Sequence, residues 1–337
     1  MRQIPLTLQT LYQDLLQAHL DRPLEDLVGT PHLRKVGGKS WWYATVRGAG
    51  GAHRQQFIGP DTPDTAARIS AWKTNARDMR AFRHQASEKA RALRAARMPA
   101  LDVQTGKTLR ALAQAGTFRL GGVLVGTHAF RLYDLELGLS VSSGAAAITA
   151  DIDVAAFEKL SLAINDHAEP ELPEVLDGLG LKPVEGLSRG KPVRWRQPGS
   201  DFVIDFLSPS FGQSEGPQKL EAFGLWAQGL HFLNFLLRDP IPAVALYREG
   251  VLVQIPLPER YAVHKLIVAS RRRGPGQAKA EKDLLQARLL IEALKEARPG
   301  DVFAALREAR KEGPAWREAI DNSLNRAPDI ARLLRRN

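Results

Sequence analysis

The sequence predicts an α+β protein. A small mixed-sheet domain is followed by a mostly helical C-terminal domain, with a helix, β-hairpin and long-helix extension in front. Three observations predict this. Between Phe118 and Leu207 short β-rich apolar runs alternate with helix-length segments. From Glu259 onward the pattern is helical, punctuated by Gly274-Pro275-Gly276, Pro299-Gly300, Gly313-Pro314 and Pro328. Before Met98-Pro99-Ala100, a linker, lie an amphipathic segment, two strand-like runs and a long basic segment. The expected parts are residues 1–100, 101–210 and 211–337.

In the first part, Leu8, Leu11, Leu15 and Leu16 recur at helical spacing within 4–20. Trp41–Val46 and Arg54–Ile58 are β-rich and flank Gly48-Ala49-Gly50-Gly51, which reads as a hairpin closed by Gly59-Pro60-Asp61. Residues 63–97 form a helix with sparse apolar positions (Ile69, Trp72, Met79, Phe82, Leu93) and many arginines, among them Arg83, Arg91 and Arg94. Such a face is either solvated or placed to hold phosphates.

In the second part, residues 105–115 read as a short helix. Its Gly106-Lys107-Thr108 resembles the end of a P-loop, but Leu101 stands where that loop needs glycine, so the motif is rejected. Phe118–Val125 reads as a strand, Thr127–Leu135 as a helix and Ala145–Val154 as a second buried strand. Residues 157–165 and Pro173–Leu179 read as helices, and Val193–Arg196 and Phe202–Leu207 as strands. In the third part, Phe223–Leu237 is the most apolar segment. Gln228, His231 and Asn234 interrupt it, and it is shorter than the ~18 residues a membrane span needs, so it reads as a buried helix. Val244–Ile255 reads as a hairpin turning at Glu249-Gly250.

The totals restrict the function classes. The chain has 337 residues, no cysteine and a formal charge of +10. Thiolate chemistry and disulfides are excluded, and a reducing, cytoplasmic setting is expected. Pro5, Gln3, Gln9 and Asp14 interrupt the apolar core that a signal peptide needs. The charge suggests a polyanionic partner, or simply a solubilising surface. His231 and His264 lack metal-spaced partners, which argues against zinc. His128 reads as a capping or core residue. Arg271-Arg272-Arg273 reads either as a solvated run or as a contact to a nucleic-acid backbone.

The chemistry concentrates between Phe118 and Val154. Asp151 and Asp153 are two apart, so in a strand they share a face, roughly 7 Å apart. Two desolvated carboxylates repel unless a cation intervenes. Mg²⁺ takes one or two carboxylates plus phosphate oxygens. Asp205, in the apolar run VIDFL, is the natural third acid. Gly126-Thr127, at a strand-to-helix break, suits close approach of a phosphate to backbone N–H groups, or is a plain turn with Thr127 as N-cap. Lys265 and Lys282 read as ordinary helix lysines or as anion contacts.

Together, Gly126-Thr127, Asp151-Ile152-Asp153 and Asp205 resemble the motif of the nucleotidyltransferase superfamily with the polymerase β-like fold. Tyr261–Leu266, Lys282–Ala287 and the FIGPDTPD segment resemble bacterial nucleotidyltransferase-fold proteins related to AbiEii-type toxins. The resemblance implies that Asp151, Asp153 and Asp205 are catalytic and ligate Mg²⁺ or Mn²⁺. It implies that Gly126 and Thr127 hold phosphates, that Lys265 and Lys282 contact the triphosphate, and that Asp283 orients a lysine or the base. The implied activity is transfer of an NMP from an NTP to an acceptor hydroxyl on RNA, protein or a small molecule. The alternatives are a non-catalytic nucleic-acid-binding protein on the same scaffold, or the toxin of a toxin–antitoxin pair. Thr127 stands where the family has Gly or Ser, and Gln286 where toxin relatives have Asp. The long Thr127–Asp151 spacing implies an inserted loop at about Gly138–Ala147.

Overall fold

The computed structural model describes residues 1–21, 30–36, 39–47, 53–142, 144–147, 149, 151–157, 168, 170–186, 188–212 and 215–335. The chain starts with β1 (Arg2–Gln3) and α1 (Leu6–Leu20), then β2 (Thr30–Val36), β3 (Lys39–Arg47), β4 (His53–Pro60) and α2 (Pro63–Ala95). Next come α3 (Val103–Gln114), β5 (Gly122–Val125), α4 (Gly126–Leu137), β6 (Leu139–Ser140) and β7 (Asp151–Ala156). They are followed by α5 (Leu172–Gly178), β8 (Lys182–Val184), β9 (Arg194–Arg196), β10 (Val203–Pro209), β11 (Pro217–Leu220), β12 (Leu225–Leu230) and α6 (Leu233–Leu236). The hairpin β13 (Ile241–Ala245) and β14 (Val251–Ile255) leads to α7 (Pro258–Arg271), α8 (Gln277–Ala297), α9 (Asp301–Lys311), α10 (Pro314–Arg326) and α11 (Pro328–Leu333). The helices and hairpin expected before residue 100, and the hairpin and helices expected from Val244 onward, stand within a few residues of where the sequence places them. Strand β2 makes the expected hairpin a three-stranded antiparallel sheet. Its Gly-rich turn and the helix expected at 157–165 lie outside the described residues, except for Phe157.

The central sheet runs β11-β12-β10-β7-β5, with the β8–β9 hairpin joined to β10. β10 is parallel to β7 and β12, and β5 is antiparallel to β7. Ile152, Val154, Ile204 and Phe206 from the two middle strands are buried with Phe130 and Tyr133 of α4. α7 and α8 pack onto this same core through Tyr261, Leu266 and Ala287. The N-terminal helices form a second cluster: Tyr12, Leu15, Ala86, Ala90 and Leu93 pack with Val244 and Leu246. The Tyr12 hydroxyl accepts the Val244 N–H at 3.0 Å, which ties α1 to β13.

Local chemistry accounts for the element ends. Asp102 caps α3, accepting the Thr105 N–H at 2.9 Å. Thr62 caps α2, with Pro63 at its first turn. The P-loop-like Gly106 is a packing glycine: a Cβ there would run into the Tyr247 ring.

Three expectations are corrected. Phe223–Leu237 is not one buried helix but a turn, strand β12 and the four-residue α6. β12 alternates buried and half-buried residues, and its backbone pairs with both β10 and β11. The sheet therefore continues past residue 210. The strand expected from Phe118 begins only at Gly122, because the preceding residues close a turn with Gly122 N–H on the Thr117 carbonyl, 2.9 Å. The strand expected from Ala145 begins at Asp151, since Gly144–Ala147 is a 3₁₀ turn. Among the described residues no helix is long and apolar enough to cross a membrane.

Candidate active site

Strand register assembles the carboxylates. Asp205 lies opposite Asp153 on parallel β10 and β7, and Val203 lies opposite Asp151. On the other side of β7, Val125 pairs with Asp153, which brings Gly126 against that carboxylate. Gly126 has φ +65°, and a Cβ there would strike Asp153 Oδ2 and lie 3.1 Å from its Cγ. The long Thr127–Asp151 connection is taken up by the rest of α4, β6 and the 3₁₀ turn. It leaves the Gly-Thr turn beside the aspartates.

The helical side locks that turn. The Tyr261 hydroxyl lies 2.8 Å from the Gly126 carbonyl and 3.0 Å from Gln286 Oε1, so its one proton serves both acceptors. Gln286 Nε2 donates to the Ala146 carbonyl at 2.7 Å and, at 3.4 Å, to Thr127 Oγ1. Gln286 and Tyr261 are fully buried. Gln286 therefore acts as a clamp of amide hydrogen bonds, which an Asp could not reproduce because it has no donor.

Charge is distributed unevenly. Burial, then Asp205, raises the Asp153 pKa to about 6, against the lowering effect of Lys265. Asp205 gives both its oxygens to Arg194, Nε to Oδ1 and Nη2 to Oδ2, each 2.6 Å. That bond raises the Arg194 pKa. Among the described residues no group of three Asp, Glu or His side chains is gathered closely enough to hold a metal ion.

Opposite the acids, Asp283 sits 3% exposed between Lys265 Nζ at 2.6 Å and Arg272 Nε at 2.9 Å. Burial pushes its pKa up, but the charges and hydrogen bonds of Lys265 and Arg272 outweigh that and hold it below the ordinary value. Lys282, half-buried, has its pKa lowered by burial and then by Lys265.

The expected residues Asp151, Asp153, Asp205, Gly126, Thr127, Lys265, Lys282 and Asp283 thus converge on one end of the sheet and the adjoining faces of α7 and α8. Arg194, Arg272, Tyr261 and Gln286 join them without having been singled out for these roles. Arg194 alone had a local signal, since a hairpin register places it across from Asp205. The arginine run is spent within the fold: Arg271 pairs with Glu215, Arg272 with Asp283, and Arg273 with the Ser270 carbonyl. His128 is buried in the core with neither ring nitrogen hydrogen-bonded, an exception among buried polar groups.

A family model described as Nucleotidyltransferase matches residues 103–311. A solved structure of an antigenic nucleotidyltransferase-like protein from Paracoccidioides brasiliensis is 15% identical, with a TM-score of 0.40, over 70% of this chain and 94% of that one. No curated protein matches. The family match spans α3 through α9 and so includes every acid and lysine of the site: the chain belongs to the nucleotidyltransferase family.

Proposed function

We propose that the protein is a divalent-metal-dependent nucleotidyltransferase that moves an NMP from an NTP to an acceptor hydroxyl on RNA, a protein or a small molecule. The observation that carries this reading is the setting of Asp153. It is a half-buried carboxylate opposite Asp205, packed against a left-handed glycine, and its charge is favoured by Lys265. Asp151 and Asp153 are hard oxygen donors that would hold Mg²⁺ or Mn²⁺ and leave the remaining positions to substrate phosphates; Asp205, held by Arg194, would join them only once that pair opens. When bound, such a cation stabilises charge on the transferring phosphates.

The chain's own residues do the rest. Gly126 and Thr127 present backbone and hydroxyl groups to the β- and γ-phosphates. Lys265 and Lys282 offset their charge. Asp283 holds Lys265 in place. The acceptor oxygen attacks the α-phosphorus, the bond to the β-phosphate oxygen breaks, and pyrophosphate leaves. The hydroxyl proton passes to the carboxylate cluster. Positioning and electrostatics carry such transfers.

Incubation with each labelled NTP, Mg²⁺ and total RNA or protein tests the proposal. Label is expected on the acceptor with wild type, and at least about 10²-fold less with Asp153→Asn. Equal labelling by the two proteins overturns the role of Asp153.

The Arg194–Asp205 pair favours a second reading, a scaffold that binds without turnover. It predicts NTP binding with no transfer to any acceptor, even after Arg194→Gln.

A further inference from the structure

We infer that the groove between α2 and the β13–β14 turn binds the sugar–phosphate backbone of a single nucleic-acid strand. The groove measures about 450 Å³ and is lined by Arg83, Ser87, Arg91 and Arg94 from α2 and by Arg248 from the turn. On the helix these positions recur at spacings of four, four and three, so they share one face. All four arginines are exposed. Tertiary structure adds the fifth position: Arg248 is brought to this face by packing of β13 on α1 and α2.

Arg248 lines the groove from the turn, its guanidinium 5.6 Å from the centre of the Tyr247 ring. Its neighbour Glu249 is occupied elsewhere, accepting from Arg110 Nη2 at 2.8 Å and Nε at 3.1 Å. The Glu249 carbonyl lies 3.1 Å from the His19 ring. Arg248 itself adopts φ +51°, a left-handed conformation uncommon outside Gly, Asn and Asp. The turn thus accepts local strand-end strain at the residue that supplies the fifth wall of the groove. Inside the groove the acid is Glu88, which lies 3.6 Å from His84 and 4.0 Å from Arg91. It offsets one of the groove's arginines, Arg91.

Length selects the ligand class. Arg83 to Arg94 covers about 16 Å of helix axis. That spans several phosphates of a stacked strand at about 3.4 Å each, and is too long for one nucleotide. A groove lined by arginines offers charge and planar donors to phosphates. The surface is separate from the carboxylate site and needs neither NTP nor metal, so it stands whether or not nucleotidyl transfer does.

The test is fluorescence anisotropy with labelled RNA and DNA oligomers of one sequence, without NTP or divalent metal, at about 50 to about 200 mM salt. Wild type is expected to bind, with log affinity falling against log salt at a slope near −2. The variant Arg91→Glu/Arg94→Glu/Arg248→Glu is expected to lose at least about 30-fold and most of the slope. A charge-matched variant in the last helices, Lys311→Glu/Arg332→Glu/Arg335→Glu, is expected to stay within about threefold of wild type. The single variant Arg248→Gln reports on the groove if the triple variant does not fold, and is expected to flatten the slope by about 1. Preference between the RNA and DNA arms identifies the strand. Equal losses in the groove and control variants, or no binding by wild type, overturn the inference.

Discussion

Arg194 and Asp205 are joined by two hydrogen bonds of 2.6 Å, one from Nε and one from Nη2, so that both carboxylate oxygens are taken. This fork-to-fork geometry is the strong form of an Arg–carboxylate contact. Arg194 is 45% exposed, so it can swing to solvent at modest cost. The pair places a guanidinium where the third acid would otherwise face a cation. Removing that guanidinium by Arg194→Gln is expected to tighten Mn²⁺ binding, without nucleotide, by about tenfold, the scale of a charge-assisted hydrogen bond. Isothermal titration reads this directly. Unchanged affinity would mean that Asp205 serves Arg194 rather than a metal.

Gly126 and Asp153 leave no room for a side chain between them. Gly126→Ala is expected to destabilise the fold by about 2 kcal/mol or more, through positive φ and collision together. Adding Asp153→Ala removes the collision but not the φ cost. Chemical denaturation of the two single variants and the double variant is expected to show a coupling of about 1 kcal/mol. Strict additivity would mean that the turn moves freely.

Asp283 is expected to act as a positioning residue for Lys265. Asp283→Asn leaves Lys265 and Arg272 without their shared anion, and is expected to cost about 3 kcal/mol in stability. It should also weaken NTP binding in a fluorescent-analogue titration. The sign with pH follows from a folded pKa held below the ordinary value. The contribution is complete above the unfolded carboxylate pKa and is lost as pH falls through the folded one. An acid limb of the stability curve unchanged by Asp283→Asn would argue against the assignment.

His128 is expected to make the protein acid-sensitive. Burial, then Arg131, pushes its pKa down to about 4. Between about pH 6.5 and this value the unfolded chain binds the proton and the folded chain does not, so stability falls as pH falls. The full effect is on the order of 3 kcal/mol. Neither ring nitrogen has a hydrogen-bond partner, so His128→Leu is expected to raise stability at neutral pH by about 1 kcal/mol and to flatten this window. Thermal melts at stepped pH test it. A variant as acid-sensitive as wild type would place the sensitivity elsewhere.

Particular residues show what was legible. Helix α2 was readable end to end because Thr62-Pro63 opens it and Met98-Pro99 follows it. The C-terminal helices were readable because Gly and Pro separate them. The segment 223–237 has the composition of a buried helix, but a short apolar run has no period of its own, and pairing with β10 and β11 makes its centre a strand. Asp153 and Asp205 could be named from their apolar surroundings, but their adjacency is a property of strand order. Lys265 and Lys282 were marked by family resemblance rather than by their own surroundings.

The sequence by itself determined most of the helical and extended segments, the Asp-x-Asp face, the glycine turn before it and the basic face of α2. These are short-range properties: periodicity, turn chemistry and side-chain charge act over a few residues. Only the tertiary structure decided that Asp205 is tied to Arg194, that Tyr261 and Gln286 clamp the Gly126-Thr127 turn, and that Arg248 joins the arginines of α2. Each of these depends on which elements become neighbours. That choice is made by burial of a shared core and satisfaction of backbone hydrogen bonds, which no local stretch of sequence contains.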